Sequence, residues 1–294
     1  MMNDEMPKLR MAARETAEEL AHRHQREQRA ASLQRESDLG VSLAPFRVGS
    51  VPYLNAVPLT RGLEDQVIFL PPSQLAAKLR AGELDAALVS VTEVLMNDGY
   101  DVLDGVAVAS LGEVKSVFLA HRIPFSEMRE VFCDTASLTS VTLLRLLLLE
   151  RGLQPEFKPL PSYAPDTMPD CALLIGDPAL DFLRGSHTHE IWDLGAAWFE
   201  MTHLPFVYAV WALRRGVENE RLRRQLREAK EFGLDTLDYI IGSRTDYDHA
   251  FRKDYLGWHI HYHLGADEKS GLAKFMELLR RHHLGPVYEP RFVA

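Results

Sequence analysis

Four hydroxyl side chains, Thr135, Ser137, Thr139 and Ser140, crowd the residues just ahead of an apolar run that reads as a helix. A helix start presents unpaired amides and the positive end of the peptide dipole, and both attract an anion. One hydroxyl is enough to cap such a start. No Glu or Gln stands at the capping-box spacing from Ser137. Ser137, Thr139 and Ser140 are therefore candidates for holding a carboxylate, with helix capping as the plainer alternative. Asn55 sits in an uncharged run, GSVPYLNAVPL at 49–59. Its amide both donates and accepts hydrogen bonds, which suits polarising a leaving hydroxyl; it also precedes a possible helix start at 56–58 and suits an N-cap. Asp177 follows an apolar run and precedes Pro178 at a helix start. It reads equally as an N-cap or as an acid that orients a hydroxyl or water. Ser116 lies in an extended segment, and Ser90 directly follows the apolar run at 84–89, where open α/β sheets place their ligands.

His259, His261 and His263 alternate, so on a strand they would share one face and form a conceivable metal site; a solvated face is the blander reading. GxGxxG, Walker, HExxH, paired CxxC and GxSxG motifs are absent from the sequence, and no nucleotide, flavin, metal or other cofactor is expected.

These residues need a scaffold. The chain has 294 residues and a formal net charge of −9, which argues against nucleic acid or an anionic membrane as the main partner. Its two cysteines, Cys133 and Cys171, stand in apolar contexts and are expected to be buried free thiols. No apolar run approaches the ~20 residues of a membrane span. Residues 1–36 are densely charged and have no apolar h-region, so a cytoplasmic location is expected. Residues 1–45 read as a charged extension. The pairs Arg14/Glu18 and Glu19/Arg23 favour helix, but apolar positions are too few for a buried stripe, so it is expected frayed or disordered.

From residue 46 strands and helices alternate. Strands are predicted at 46–51, 67–70, 84–89, 114–121, 131–133, 171–175 and 204–213. Ser73 is the predicted N-cap of a helix at 74–81 that Gly82 stops, and a helix through 143–150 ends at Gly152. Residues 218–284 read as mostly helical, interrupted around 255–264. The α/β order of strands and helices through 46–89 predicts a parallel sheet with right-handed crossovers. Long extended segments going out at 114–121 and returning at 205–214 suggest two lobes joined by two strands. Lobe 1 would be 46–117 plus 209–294, and lobe 2 would be 118–208. The layout resembles the two-lobed type II periplasmic-binding-protein fold, with its ligand in the cleft between lobes.

Five segments in order, YLNAVPL, GEVKSVFLA, TASLTSV, LLIGDPAL and DLGAAW with LPFVYAVW, resemble the chorismate dehydratase family of the futalosine route to menaquinone across about 46–284. Two positions depart from the family pattern. Leu138 stands where members often carry arginine, and His203 stands where a glycine is usual. The resemblance implies cofactor-free loss of water from chorismate, giving 3-[(1-carboxyvinyl)oxy]benzoate. It also implies that Asn55 and Ser116 hold and polarise the reacting groups and that Ser137, Thr139 and Ser140 anchor a carboxylate; Ser90 is expected to contact the ligand from its place at the end of a strand. Asp177 would assist proton transfer, unless a carboxylate of the substrate is the base. A solute-binding protein, or the sister enzyme acting on a futalosine-derived substrate, are the alternatives. Oligomeric state is left open.

Overall fold

Strand β1 (Val48–Ser50) is completely buried, and at its centre a Cβ on Gly49 would stand 2.5 Å from Leu75 Cδ2. Close packing of this kind needs glycine. In this computed structural model, residues 42–217 and 219–294 are described, and Leu43–Ala294 form one compact unit. Most of the extension expected at 1–45 lies outside the described residues. Leu43 belongs to the core, 1% exposed, so the folded unit starts slightly earlier than 46.

Strand β2 (Val67–Phe69) leads into helix α1 (Pro72–Arg80). Ser73 is not its N-cap. Pro71 holds that place and Pro72 opens the helix, its fixed φ making a side-chain cap unnecessary. Gly82, at φ 71°, ends it by donating its amide to Leu79 O (3.1 Å). Strand β3 (Ala86–Ser90), helix α2 (Val91–Met96) and the long strand β4 (Tyr100–Ser110) follow.

Residues 111–116 then cross to a second sheet, where strand β5 (Val117–His121) begins. There follow β6 (Glu130–Cys133), helix α3 (Leu138–Glu150), β7 (Glu156–Pro159), β8 (Cys171–Ile175), helix α4 (Gly176–Arg184) and β9 (Glu190–Asp193). Helix α5 (Leu194–Thr202) carries the chain back, and strand β10 (Phe206–Arg214) rejoins the first sheet. Four helices, α6 (Glu220–Asp235), α7 (Leu237–Ser243), α8 (His249–Asp254) and α9 (Ala266–Arg281), and strand β11 (Arg291–Val293) complete the described residues.

The first sheet has the order β11-β4-β10-β3-β1-β2, and the second β7-β6-β8-β5-β9. Strands β1, β2 and β3 pair parallel, as the order through 46–89 predicts, but neither sheet is parallel throughout. Strand β10 runs antiparallel to β3 and β4, and β5 antiparallel to β8 and β9. Both enter their sheet from the crossing side, so they run against the strands that leave toward it. The joining segments also differ from the expected pair of strands. Each of β5 and β10 lies wholly in one sheet, and the true crossings are the loop 111–116 and helix α5 with 203–205. His203 ends α5 at φ 56°, donating its amide to Phe199 O (2.8 Å). The position that departs from the usual glycine thus adopts the left-handed backbone, in which a histidine is uncommon but tolerated. We assign one lobe to each sheet; Phe206 onward then goes with the first sheet, ahead of the boundary drawn at 209.

The core runs through both sheets, with Trp198, Trp211, Phe206 and Phe275 among its fully buried side chains. Cys133 and Cys171 are buried and free. Burial pushes their thiols up, to about 12 and about 11.

Candidate functional site

Between the sheets lies a cleft of about 580 Å³, its open mouth included. Clefts between packed units are a usual place for a small-molecule site. Asn55, Ser90, Ser116, Ser137 and Ser140 all line it, with Tyr53, Gly176 and Tyr208 and a wall of valines. No lining residue among those described carries a charge.

Asn55 is half-buried in a short 3-10 turn (Leu54–Thr60) that follows β1. Tyr53 holds the N-cap place of that turn, so Asn55 is not the cap. The Tyr53 ring lies over Gly176, where a Cβ would stand 3.3 Å from three ring carbons. Gly176 also has φ 61°, so both backbone and space call for glycine there. Burial pushes the Tyr53 hydroxyl up to about 12, and the charges of Asp134 and Asp177 add to the shift.

Ser116 ends the crossing loop and is fully buried. Its Oγ donates to Val114 O (3.4 Å), and its own carbonyl accepts the Gly176 amide (2.8 Å). The loop is held from below by Asp193, whose carboxylate accepts the amides of Val114 (3.1 Å) and Lys115 (2.7 Å) and also caps α5 through Ala196 N (2.9 Å). Burial raises the Asp193 carboxyl in spite of these three donors. Lys115 sits at φ 61°, a backbone that this double grip sustains.

Ser137 both caps α3 and faces the cleft. Its Oγ accepts from Ser140 N (3.3 Å) and Ser140 Oγ (3.1 Å) and lies 3.3 Å from Ser90 Oγ. The hydroxyls thus cluster at the positive end of a 13-residue helix. Thr139 does not join them. It is fully buried, and its Oγ1 accepts Thr92 N (3.0 Å) and donates to Thr92 Oγ1 (3.1 Å), so it ties α3 to α2 instead of facing a ligand. Leu138, in the place of the usual arginine, is 42% exposed.

Asp177 is neither the N-cap of α4 nor a lining residue; Ile175 holds the cap place. Its Oδ1 accepts Leu54 N (3.1 Å), across the cleft, and Tyr247 donates its hydroxyl to Asp177 O (3.4 Å). Burial raises its carboxyl, against the Leu54 amide, which lowers it. The three alternating histidines do not lie on a strand and do not converge. His259 contacts Glu113 O (2.8 Å) and Asp254 Oδ2 (3.2 Å), His261 pairs with Ala109, and His263 contacts Lys230 Nζ (3.1 Å). Tyr53 and Tyr208 escaped the reading of the sequence. Tyr53 stands two positions before Asn55 in the same uncharged run, which was its only local signal.

The menaquinone biosynthesis family matches residues 46–281. The chorismate dehydratase of Thermus thermophilus is 34% identical over 269 residues, which cover 81% of this chain and 96% of that protein. Among solved structures, protein AF1704 from Archaeoglobus fulgidus superposes with a TM-score of 0.64 at 18% identity, covering 81% of this chain and 98% of that one. The alkanesulfonate-binding protein SsuA from Xanthomonas axonopodis pv. citri gives 0.57 at 15% identity, covering 84% and 96%. At such identities these two establish the fold alone, that of periplasmic binding proteins with a cleft between lobes. The match over residues 46–281 and the 34% identity over most of the chain place it in the chorismate dehydratase family of menaquinone biosynthesis.

Proposed function

We propose that this chain is a chorismate dehydratase, a cytoplasmic hydro-lyase that removes water from chorismate and leaves 3-[(1-carboxyvinyl)oxy]benzoate without a cofactor. The observation that carries the reading is the meeting of Asn55, Ser116 and the Ser137–Ser140 helix start in one uncharged cleft, in a chain 34% identical to a chorismate dehydratase.

In the reaction a ring C–H bond gives up its proton, the neighbouring C–O bond releases hydroxide, and the two leave as water while the ring becomes aromatic. Aromatisation supplies the driving force, so the protein has mainly to align the two breaking bonds. Orientation of this kind can lower a barrier by about 7 kcal/mol or more. Ser137 and Ser140, at the dipole end of α3, hold a substrate carboxylate with neutral donors. Asn55 and Ser116 hold the reacting carbon–oxygen bond, the amide donating to the departing hydroxyl. No lining side chain is a base at neutral pH, and Asp177 is engaged by Leu54. We therefore assign proton acceptance to a carboxylate of the substrate, with Asp177 acting only through the loop it holds.

Purified protein is incubated with chorismate in EDTA, and products are followed by liquid chromatography with mass detection. The expected product is lighter by one water and aromatic in its ultraviolet spectrum. Intact chorismate, from protein shown to be folded, would sink the reading.

A further inference from the structure

Behind the cleft stands a tyrosine that no other feature of the fold explains. Tyr255 is fully buried, yet its hydroxyl has no partner at normal hydrogen-bond geometry among the described residues. A buried polar group left without a partner costs about 1–3 kcal/mol, so its retention calls for a reason. Burial raises the phenol, the Ser116 hydroxyl and the Asn55 amide oppose that as hydrogen-bonding neighbours, and the charge of Asp177 adds to it. Ser116 and Asn55 line the cleft and Tyr255 does not, which puts the hydroxyl on their far side.

The local backbone is built to deliver it there. Helix α8 runs directly into a single π-turn, Tyr255–His259, and insertions of this type recur at functional sites. The turn is pinned at both ends. Above, the Tyr255 ring stacks on Phe251 (centroids 5.6 Å, 14° between planes), which meets Tyr247 at 5.4 Å. Below, His259 contacts Glu113 O in the crossing loop, and His261 and Ala109 exchange amide hydrogen bonds of 2.8 and 2.9 Å. The phenol is thus fixed relative to the very loop that ends in Ser116.

We propose that Tyr255 is a positioning residue for the dehydration: from the π-turn its hydroxyl sets the orientation of the Asn55 amide and the Ser116 hydroxyl. The role rests on the activity proposed above. As substrate nears the transition state, the phenol offers a polar contact that keeps both side chains aimed into the cleft, without itself touching the ligand.

The test is Tyr255→Phe, which keeps the ring stack and removes only the hydroxyl. Loss of an outer contact of this kind is expected to lower kcat by about tenfold or more while KM stays within about threefold. The melting temperature is expected to hold or rise, since an unpartnered polar group is removed. The Asn55 side-chain amide, assigned in ¹H–¹⁵N spectra by its loss in Asn55→Ala, is expected to shift. Tyr262→Phe is the control, because Tyr262 is equally buried with an unpartnered hydroxyl but has neither Asn55 nor Ser116 beside it; it should leave kcat unchanged. Wild-type kcat in Tyr255→Phe, or an Asn55 amide that does not move, would overturn the proposal. If wild-type protein left chorismate intact, the dehydratase reading would fail, and the amide shift would still decide the positioning role. Should Tyr255→Phe not fold, Phe251→Leu takes its place and must move the same amide.

Discussion

Asn55 and Ser116 come from segments far apart in the chain and meet in a cleft that offers no charge. Neutral groups in a partly dry site act by direction, so each is sensitive to deletion. Asn55→Ala and Ser116→Ala are each expected to lower kcat about 100-fold in folded protein, by steady-state assay, the lower end of what positioned proton and hydrogen-bonding groups contribute. Asp177 behaves differently. Its carboxyl is raised by burial, so folding favours its protonated form: the stabilising contribution is complete below the unfolded value and is lost as pH rises through the folded one. Asp177→Asn, which keeps an acceptor for Leu54 N, is therefore expected to gain stability over the wild type as pH rises from about 4 into that window. Urea unfolding at a series of pH values measures it. Turnover should stay within about tenfold of wild type if a substrate carboxylate takes the proton, and a loss of about 100-fold or more would return Asp177 to the chemistry.

At the scale of elements, Asp193 joins one helix start to the loop opposite. Asp193→Ala would strip one buried and two partly buried amides of their acceptor and is expected to cost on the order of 3 kcal/mol in urea unfolding, more than an ordinary lost cap. This scale also marks what could be read from the sequence. Buried runs such as 84–89 and 171–175 announced β3 and β8 within two residues, because apolar patterning is local. Gly82 announced the end of α1 for the same reason. The start of α1 was misread because Ser73 is a good cap in isolation, while Pro72 fixes the backbone without one. Residues 114–116 looked extended by composition; Asp193, which accepts the Val114 and Lys115 amides, and His259, which contacts Glu113 O, are distant in sequence and bend them into a loop. In the candidate site, Asn55, Ser90, Ser116, Ser137 and Ser140 follow apolar runs or open a helix, so polarity against local pattern singled them out. Thr139 has the same local signature and a different partner, which only the packing of α3 on α2 decides. Tyr255 sits in a helical stretch rich in aromatics, where nothing local separates it from the core.

For the molecule as a whole, the lobes already touch across the cleft at Ser90–Ser137, Thr92–Thr139 and Leu54–Asp177. These three are polar, the kind of contacts that open when ligand enters and leaves. Thr139→Val keeps the shape and deletes both bonds to Thr92. It is expected to raise KM by about tenfold, with a smaller change in kcat and a larger radius of gyration in small-angle scattering, since one orphaned buried amide costs about 1–3 kcal/mol of the closed state. An unchanged KM and radius would mean that Thr92–Thr139 does not govern closure.

Because one carboxylate, that of Asp193, holds the outgoing loop and the start of the returning helix together, the two connections behave as a single axle. In any rotation, points on the axle stay almost still and points away from it sweep an arc that grows with radius. Ser116 is on the axle, whereas Thr92 and Thr139 close the gap between the turning bodies. The jaws can therefore admit a molecule and let its product go while Ser116 keeps its place.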